Sequence, residues 1–263
     1  MKYQHKGNFE KAIEELKKDC NNAVAQVYDS FNNQEGKLSQ VIFTLKNNYA
    51  KKESISDGSS NILNNFVANY NATILNKLYE NGATLVATTN LDEFGLGGTG
   101  TFSNHGIIYN PLNKDYYVGG SSSGAAATFS SNIGFAIGSD TGDSVRLPAS
   151  NIGKVGFKPS YGAVSRFGLF SYASSMDTVA WFNHSVNDCI IIAQTLFGID
   201  KYDLTSCNVD INDIQMKKPK TVAYLDCSHL LEDYIDQKYQ ALLKKLSEQN
   251  IEVIKITPNE ELL

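Results

Sequence analysis

The sequence predicts an α/β fold: a mixed, twisted central sheet flanked by helices. Short β-branched and aromatic runs alternate with segments of helical periodicity, and the tail reads strand, helix, strand. In order, Phe9, Ala12, Ile13, Leu16, Ala23, Val24 and Val27 recur at helix-like intervals among Glu and Lys, which predicts an amphipathic helix from Asn8 to about Phe31. The run Leu38 to Leu45 is rich in β-branched and aromatic residues and predicts a buried strand ending at Lys46. A polar loop from Asn47 to Asn61 follows. Next come a helix from about Ala72 to Asn81, closed by Asn81-Gly82, and a strand from Ala83 to Ala87. From Gly95 to Gly124 glycine and serine dominate, then a short helix over Ala125–Phe129 and a strand over Gly134–Gly138 are expected. Because apolar elements interrupt this small-residue stretch, it predicts backbone held close to a ligand and not a linker. Beyond Pro159, turns and short strands lead to about Trp181, and a helix is expected from about Val186 to Leu196. The tail supplies strands at Thr221–Leu225 and Ile251–Ile256 around a helix with Tyr234, Leu242, Leu243 and Leu246 on one side, a βαβ unit.

The chain has 263 residues, 42% hydrophobic and 19% charged, with a formal net charge of −5. That length supports a sizeable core without disulfide staples. Cys20, Cys189, Cys207 and Cys227 show no CxxC spacing and no companion histidines, which argues against a zinc ribbon and for reduced thiols, hence a cytoplasmic location. No apolar run approaches ~18 residues, so a membrane span is not expected. The acidic balance disfavours a surface that grips phosphates unaided. Only Arg146 and Arg166 are arginines among 23 basic residues, so fork geometry is a reason to look at each.

Amide or ester hydrolysis needs a nucleophile, a base and donors for the oxyanion. His5, His105, His184 and His229 stand alone, outside any catalytic motif, and Gly-x-Ser-x-Gly, HExxH and the Walker A loop are absent. Serine with lysine remains. Lys46 follows a buried-looking run, where desolvation would free its neutral form to act as a base, and the alternative is an ordinary strand-end lysine in water. Ser144 lies in a small-residue turn after a strand, where backbone N–H groups can converge on a negative oxygen. Ser121 opens a helix after two glycines, placed to relay a proton. Each serine also has a plainer reading, as a helix cap, a turn or a phosphate loop.

Three ordered blocks narrow these alternatives: Gly119-Gly120-Ser121-Ser122-Ser123-Gly124, Gly138 to Ala149, and Gly153 to Gly162. Together they resemble the amidase signature family. The blocks Thr89 to Phe94 and Val164 to Asp177 resemble, within it, the glutaminase (A) subunits of glutamyl-tRNA(Gln) amidotransferases, and the similarity runs from about Leu38 to the end of the chain. The resemblance implies a Ser–cis-Ser–Lys triad of Ser144 as nucleophile, Ser121 as bridge and Lys46 as base. It also implies an oxyanion hole from the backbone amides of Thr141, Gly142 and Asp143. Glutamine would be hydrolysed, and its ammonia passed to a B subunit that activates Glu-tRNA(Gln) with ATP and magnesium. The implied partners are B and C subunits, with tRNA held mainly by B, and no cofactor or metal is expected in this chain itself.

The sequence departs from the family at several points. Asp143 stands where the family often has glycine, Asn47-Asn48 where an aspartate commonly follows the lysine, and the 23-residue spacing from Ser121 to Ser144 is short enough that Ser122 competes for the bridging role. The family's members are far longer, so residues 38–263 are expected to be a truncated amidase signature domain, incomplete at its C-terminus, after an N-terminal helical segment at 1–37. A free-standing amidase for small amides and a non-catalytic, partner-binding chain are the alternative functions.

Overall fold

In the computed structural model, which describes residues 2–211 and 217–256, the central sheet has six strands. The strands are β1 (Val24–Val27), β2 (Ile42–Lys46), β3 (Thr84–Thr89), β4 (Phe135–Ser139), β5 (Val155–Phe157) and β6 (Val179–Asn183). Their order is β1-β3-β2-β4-β6-β5. The inner strands β3, β2 and β4 run parallel, while β1, β6 and β5 join antiparallel to their neighbours, which makes the sheet mixed. The parallel strands β3 and β4 lie on opposite sides of β2, so the chain changes direction there, and the carboxyl ends of such strands form a crevice.

Strand parity decides what each face buries. Phe43 and Leu45 of β2, with Phe135 and Ile137 of β4, pack on one face against Ile74, Leu75 and Leu78 of α2 (Thr73–Glu80) and Ile191, Ile192 and Leu196 of α5 (Val186–Leu196). Ile42, Val86, Ala136 and Phe182 pack on the other, against Ala12 and Leu16 of α1 (Phe9–Lys17), Ala125 and Ala126 of α3 (Ser123–Ala127) and Ala149 of α4 (Arg146–Asn151). Lys46 shares parity with Ile42 and so emerges on the α3 side.

Two expected elements differ. The helix from Asn8 to about Phe31 is divided: α1 runs only from Phe9 to Lys17, and Val24–Val27 form a strand paired with β3. The physical reason lies in Asp19, whose carboxylate accepts the N–H groups of Asn21, Ala23 and Val24, while Asn22 takes a left-handed φ of 56°. The N-terminal 37 residues are therefore not a wholly helical segment. Likewise Leu38–Val41 form a turn, closed by the Val41 N–H on the Leu38 carbonyl with Gln40 at φ 67°, and the strand begins at Ile42. Its end at Lys46, the helix Val186–Leu196 and the strand Thr221–Leu225 lie where the sequence places them.

The chain divides into two compact units, Met1–Asn212 and Asp213–Leu263. In the second, β7 (Thr221–Leu225) and β8 (Glu252–Ile256) pair in parallel through α6 (Asp233–Glu248), which is the expected βαβ unit. No described helix is long and apolar enough to cross a membrane.

Candidate active site

Lys46 is the last residue of β2, a strand in which every residue is buried, and it is itself fully shielded from solvent. Its Nζ donates to Ser121 Oγ at 2.8 Å and to Ser139 Oγ at 2.9 Å. Burial lowers its pKa from the usual 10.5 to about 7, against the opposing pull of Asp92, Asp140 and Asp177. Desolvation disfavours the ammonium, and the three carboxylates together do not cancel that cost. The plain reading of a lysine in water is thereby excluded by the fold.

Ser121 follows a cis Gly120–Ser121 peptide bond just before α3. A side chain at Gly120 has no room, since a Cβ there would come within 2.0 Å of Asp92 Oδ2. Asp92 is buried and accepts the N–H groups of Gly100 (3.1 Å) and Phe102 (3.0 Å), so the Gly/Ser loop closes over it. Ser122 does not compete for the lysine: its Oγ donates to the Ser139 carbonyl at 3.2 Å. Ser122 N–H donates to the Ser144 carbonyl at 3.1 Å, which brings the turn carrying Ser144 beside the Ser121 loop. Ser144 is 7% exposed, and among the described residues no direct hydrogen bond joins its hydroxyl to that of Ser121.

The turn between β4 and α4 contains Thr141, Gly142 and Asp143. Among the described residues no protein acceptor meets their three N–H groups, an arrangement that leaves donors free for a negative oxygen. Asp143 does not adopt left-handed backbone, and its side chain lies in solvent, so the replacement of glycine carries no conformational cost. Thr141 Oγ1 donates to Asp177 Oδ1 at 2.6 Å, and the N–H groups of Tyr172 and Ala173 donate to the same carboxylate.

The sequence reading missed several supporting groups. Asn48 Nδ2 donates to Ser139 Oγ at 3.0 Å, so an asparagine two places after the lysine helps to orient it through that hydroxyl, whereas Asn47 turns to Asp57. Asp140 is fully buried and takes Arg146 Nε and Nη2 at 3.1 Å each, Lys158 Nζ at 3.0 Å, and the N–H groups of Val145 and Arg146. Burial alone would raise the Asp140 carboxyl, but these donors outweigh it and hold its pKa below the ordinary value. The scarcity of arginine was the available signal, and Arg146 does use its fork. Arg166 reaches Ser174 O and Thr205 Oγ1 and stacks on Tyr161, away from Lys46. His5 pairs with buried Asp188 and His105 with Asp57, and among the described residues no histidine is bonded to Ser121 or Ser144.

A lysine with depressed pKa touching a serine hydroxyl, at the carboxyl edge of parallel strands and beside a turn of free amides, is the set of groups that serine-lysine attack on a carbonyl would use. A model of the amidase family matches residues 3–262, and the chain belongs to that family, the amidase signature enzymes. It is 38% identical over 235 residues to the A subunit of glutamyl-tRNA(Gln) amidotransferase from Mycoplasma genitalium, covering 86% of this chain and 49% of the relative. A protein of the same name from Borreliella afzelii is 38% identical over 261 residues, 92% of this chain and 52% of its own length. The solved structure of the glutamyl-tRNA(Gln) amidotransferase A subunit from Thermotoga maritima superposes with a TM-score of 0.86 at 28% identity, covering 96% of this chain and 62% of that one. An amidase family protein from Bacillus anthracis shares the fold, with a TM-score of 0.81 at 23% identity over 96% of this chain and 56% of its own. The chain thus spans about half the length of the curated relatives it matches.

Proposed function

We propose that this chain carries the glutamine-hydrolysing centre of a tRNA-dependent amidotransferase, the role of its A subunit. The observation that carries the reading is the fully buried Lys46 Nζ, with its pKa near 7, 2.8 Å from Ser121 Oγ. In its neutral form Lys46 accepts the Ser121 proton, and Ser121 accepts the proton of Ser144. Ser144 Oγ attacks the carbonyl carbon of the glutamine side-chain amide, and the N–H groups of Thr141, Gly142 and Asp143 receive the developing oxyanion. The relayed proton passes to the leaving nitrogen, the C–N bond breaks, and ammonia departs. Water then attacks the glutamyl ester by the same relay and releases glutamate.

The partners of this reading are B and C subunits. The B subunit holds the tRNA, and uses ATP and magnesium to activate the glutamate that the ammonia will amidate. The chain itself contributes no cofactor or metal, and the work is cytoplasmic. Similarity at 38% identity to two relatives that carry the A-subunit name supports this substrate and these partners.

The test is glutaminase turnover in a complex reconstituted with B and C subunits. Glutamate release should fall by at least about a thousandfold in Ser144→Ala, the scale expected when a nucleophile is lost. Turnover by the wild-type complex no faster than by Ser144→Ala would defeat the reading.

A further inference from the structure

Lys158 lies on the strand-turn segment after β5, and its side chain is one-fifth exposed. It donates to the Thr141 carbonyl at 2.8 Å, to Asp140 Oδ1 at 3.0 Å, and, at 3.4 Å, to the Gly142 carbonyl. Arg146 Nη2 also donates to the Gly142 carbonyl. Two cations thus hold two successive carbonyls of the turn that precedes Ser144, and buried Asp140 holds both cations in place.

Peptide geometry turns that into a statement about donors. In a trans peptide the C=O and the following N–H point in opposite directions. The Thr141 carbonyl shares its plane with the Gly142 N–H, and the Gly142 carbonyl shares its plane with the Asp143 N–H. Fixing both carbonyls on the cation side therefore aims both amides the other way, where no protein acceptor meets them among the described residues. Side-chain packing does not restrain the turn's middle: a Cβ on Gly142 would touch nothing within 4 Å. Rotating either peptide plane would break a charge-assisted hydrogen bond and strand a carbonyl beside a buried carboxylate.

We infer that Lys158, with Arg146 as its companion, is a positioning residue for the oxyanion site: it clamps the Thr141 and Gly142 carbonyls so that the Gly142 and Asp143 amides face the reacting carbonyl. The inference rests on the reading of Ser144 as nucleophile. Lys158 bonds to neither serine, and its role needs no contact with the substrate. Its contribution is to keep the donors from reorganising when charge develops.

The experiment is covalent labelling of the full chain by a fluorophosphonate, followed by mass spectrometry of intact protein and of the peptide containing Ser144. In that reaction the Ser144 Oγ–P bond forms, the P–F bond breaks, fluoride leaves, the serine proton passes through Ser121 to Lys46, and negative charge grows on the phosphoryl oxygen. In Lys158→Met the labelling rate should fall about tenfold to a hundredfold, part of the effect of losing an oxyanion donor outright. The end point should still be one label per chain. Lys158→Arg, which retains charge and donors, should recover most of the rate. A Lys158→Met rate equal to the wild type's overturns the inference alone. So does an unchanged rate with a reduced end point, since that marks a folding role. Failure of the wild type to label at Ser144 removes the nucleophile reading, and the inference falls with it.

Discussion

At the scale of single residues, the burial of Lys46 links the proposed base to the stability of the fold. The unfolded chain holds the Lys46 proton up to its ordinary pKa of 10.5, whereas the folded chain releases it at about 7. Between those values the unfolded state binds more protons, so wild-type stability rises with pH across the window. Burying the charge is therefore a cost, largest below the folded pKa. Lys46→Met should abolish glutamine hydrolysis and raise unfolding stability at mildly acid pH by about 2–4 kcal/mol, an advantage that shrinks as the pH approaches 10.5. Urea melts at several pH values check the stability, and the wild-type kcat/KM should show an acid limb with its midpoint near the folded pKa. A wild-type profile flat through neutrality would remove Lys46 as the base.

Among elements, the site depends on how β2, the Gly/Ser loop and the turn before α4 meet. Lys46 was legible as a candidate because an apolar strand preceded it, and strand parity then delivers it to the α3 face. The Gly/Ser loop was legible as a stretch where small residues are needed, whereas its closeness to Asp92 is a matter of packing. Gly120→Ala should cost about 1–3 kcal/mol of stability and slow hydrolysis, because its Cβ meets a buried carboxylate at 2.0 Å. Gly98→Ala, with nothing within 4 Å and no left-handed φ, should change stability by less than about 0.5 kcal/mol. Equal denaturation midpoints for the two variants would count against the packing argument. The over-long helical reading of residues 8–31 failed for a local reason. Ala23, Val24 and Val27 keep a helical spacing, but Asp19 captures the N–H groups that a continuing helix would need.

On the scale of the whole molecule, the proposal assigns ammonia production to this chain and ammonia use to another. Supplying ammonium salt should then bypass the site: a reconstituted complex with Ser144→Ala should lose glutamine-dependent Gln-tRNA(Gln) formation and keep the ammonia-dependent reaction within about twofold of wild type, since no interaction of the second centre is altered. Loss of both reactions together would mean that Ser144 matters to assembly or folding and not to amide hydrolysis alone. The chain spans about half of its curated relatives, so this comparison also tests whether the described units support catalysis in the complex.

The sequence by itself determined the alternation that makes an α/β sheet, the family, and the candidate set Lys46, Ser121 and Ser144. These follow from local periodicity and from short ordered blocks, which a linear chain displays directly. Only the tertiary structure decided that Ser121 and not Ser122 meets the lysine, that Ser139 and Asn48 support it, and that Asp140 gathers Arg146 and Lys158 around the turn. Desolvation and hydrogen-bond geometry are properties of neighbours: Lys46 and Ser121 lie 75 positions apart in the chain and 2.8 Å apart in space.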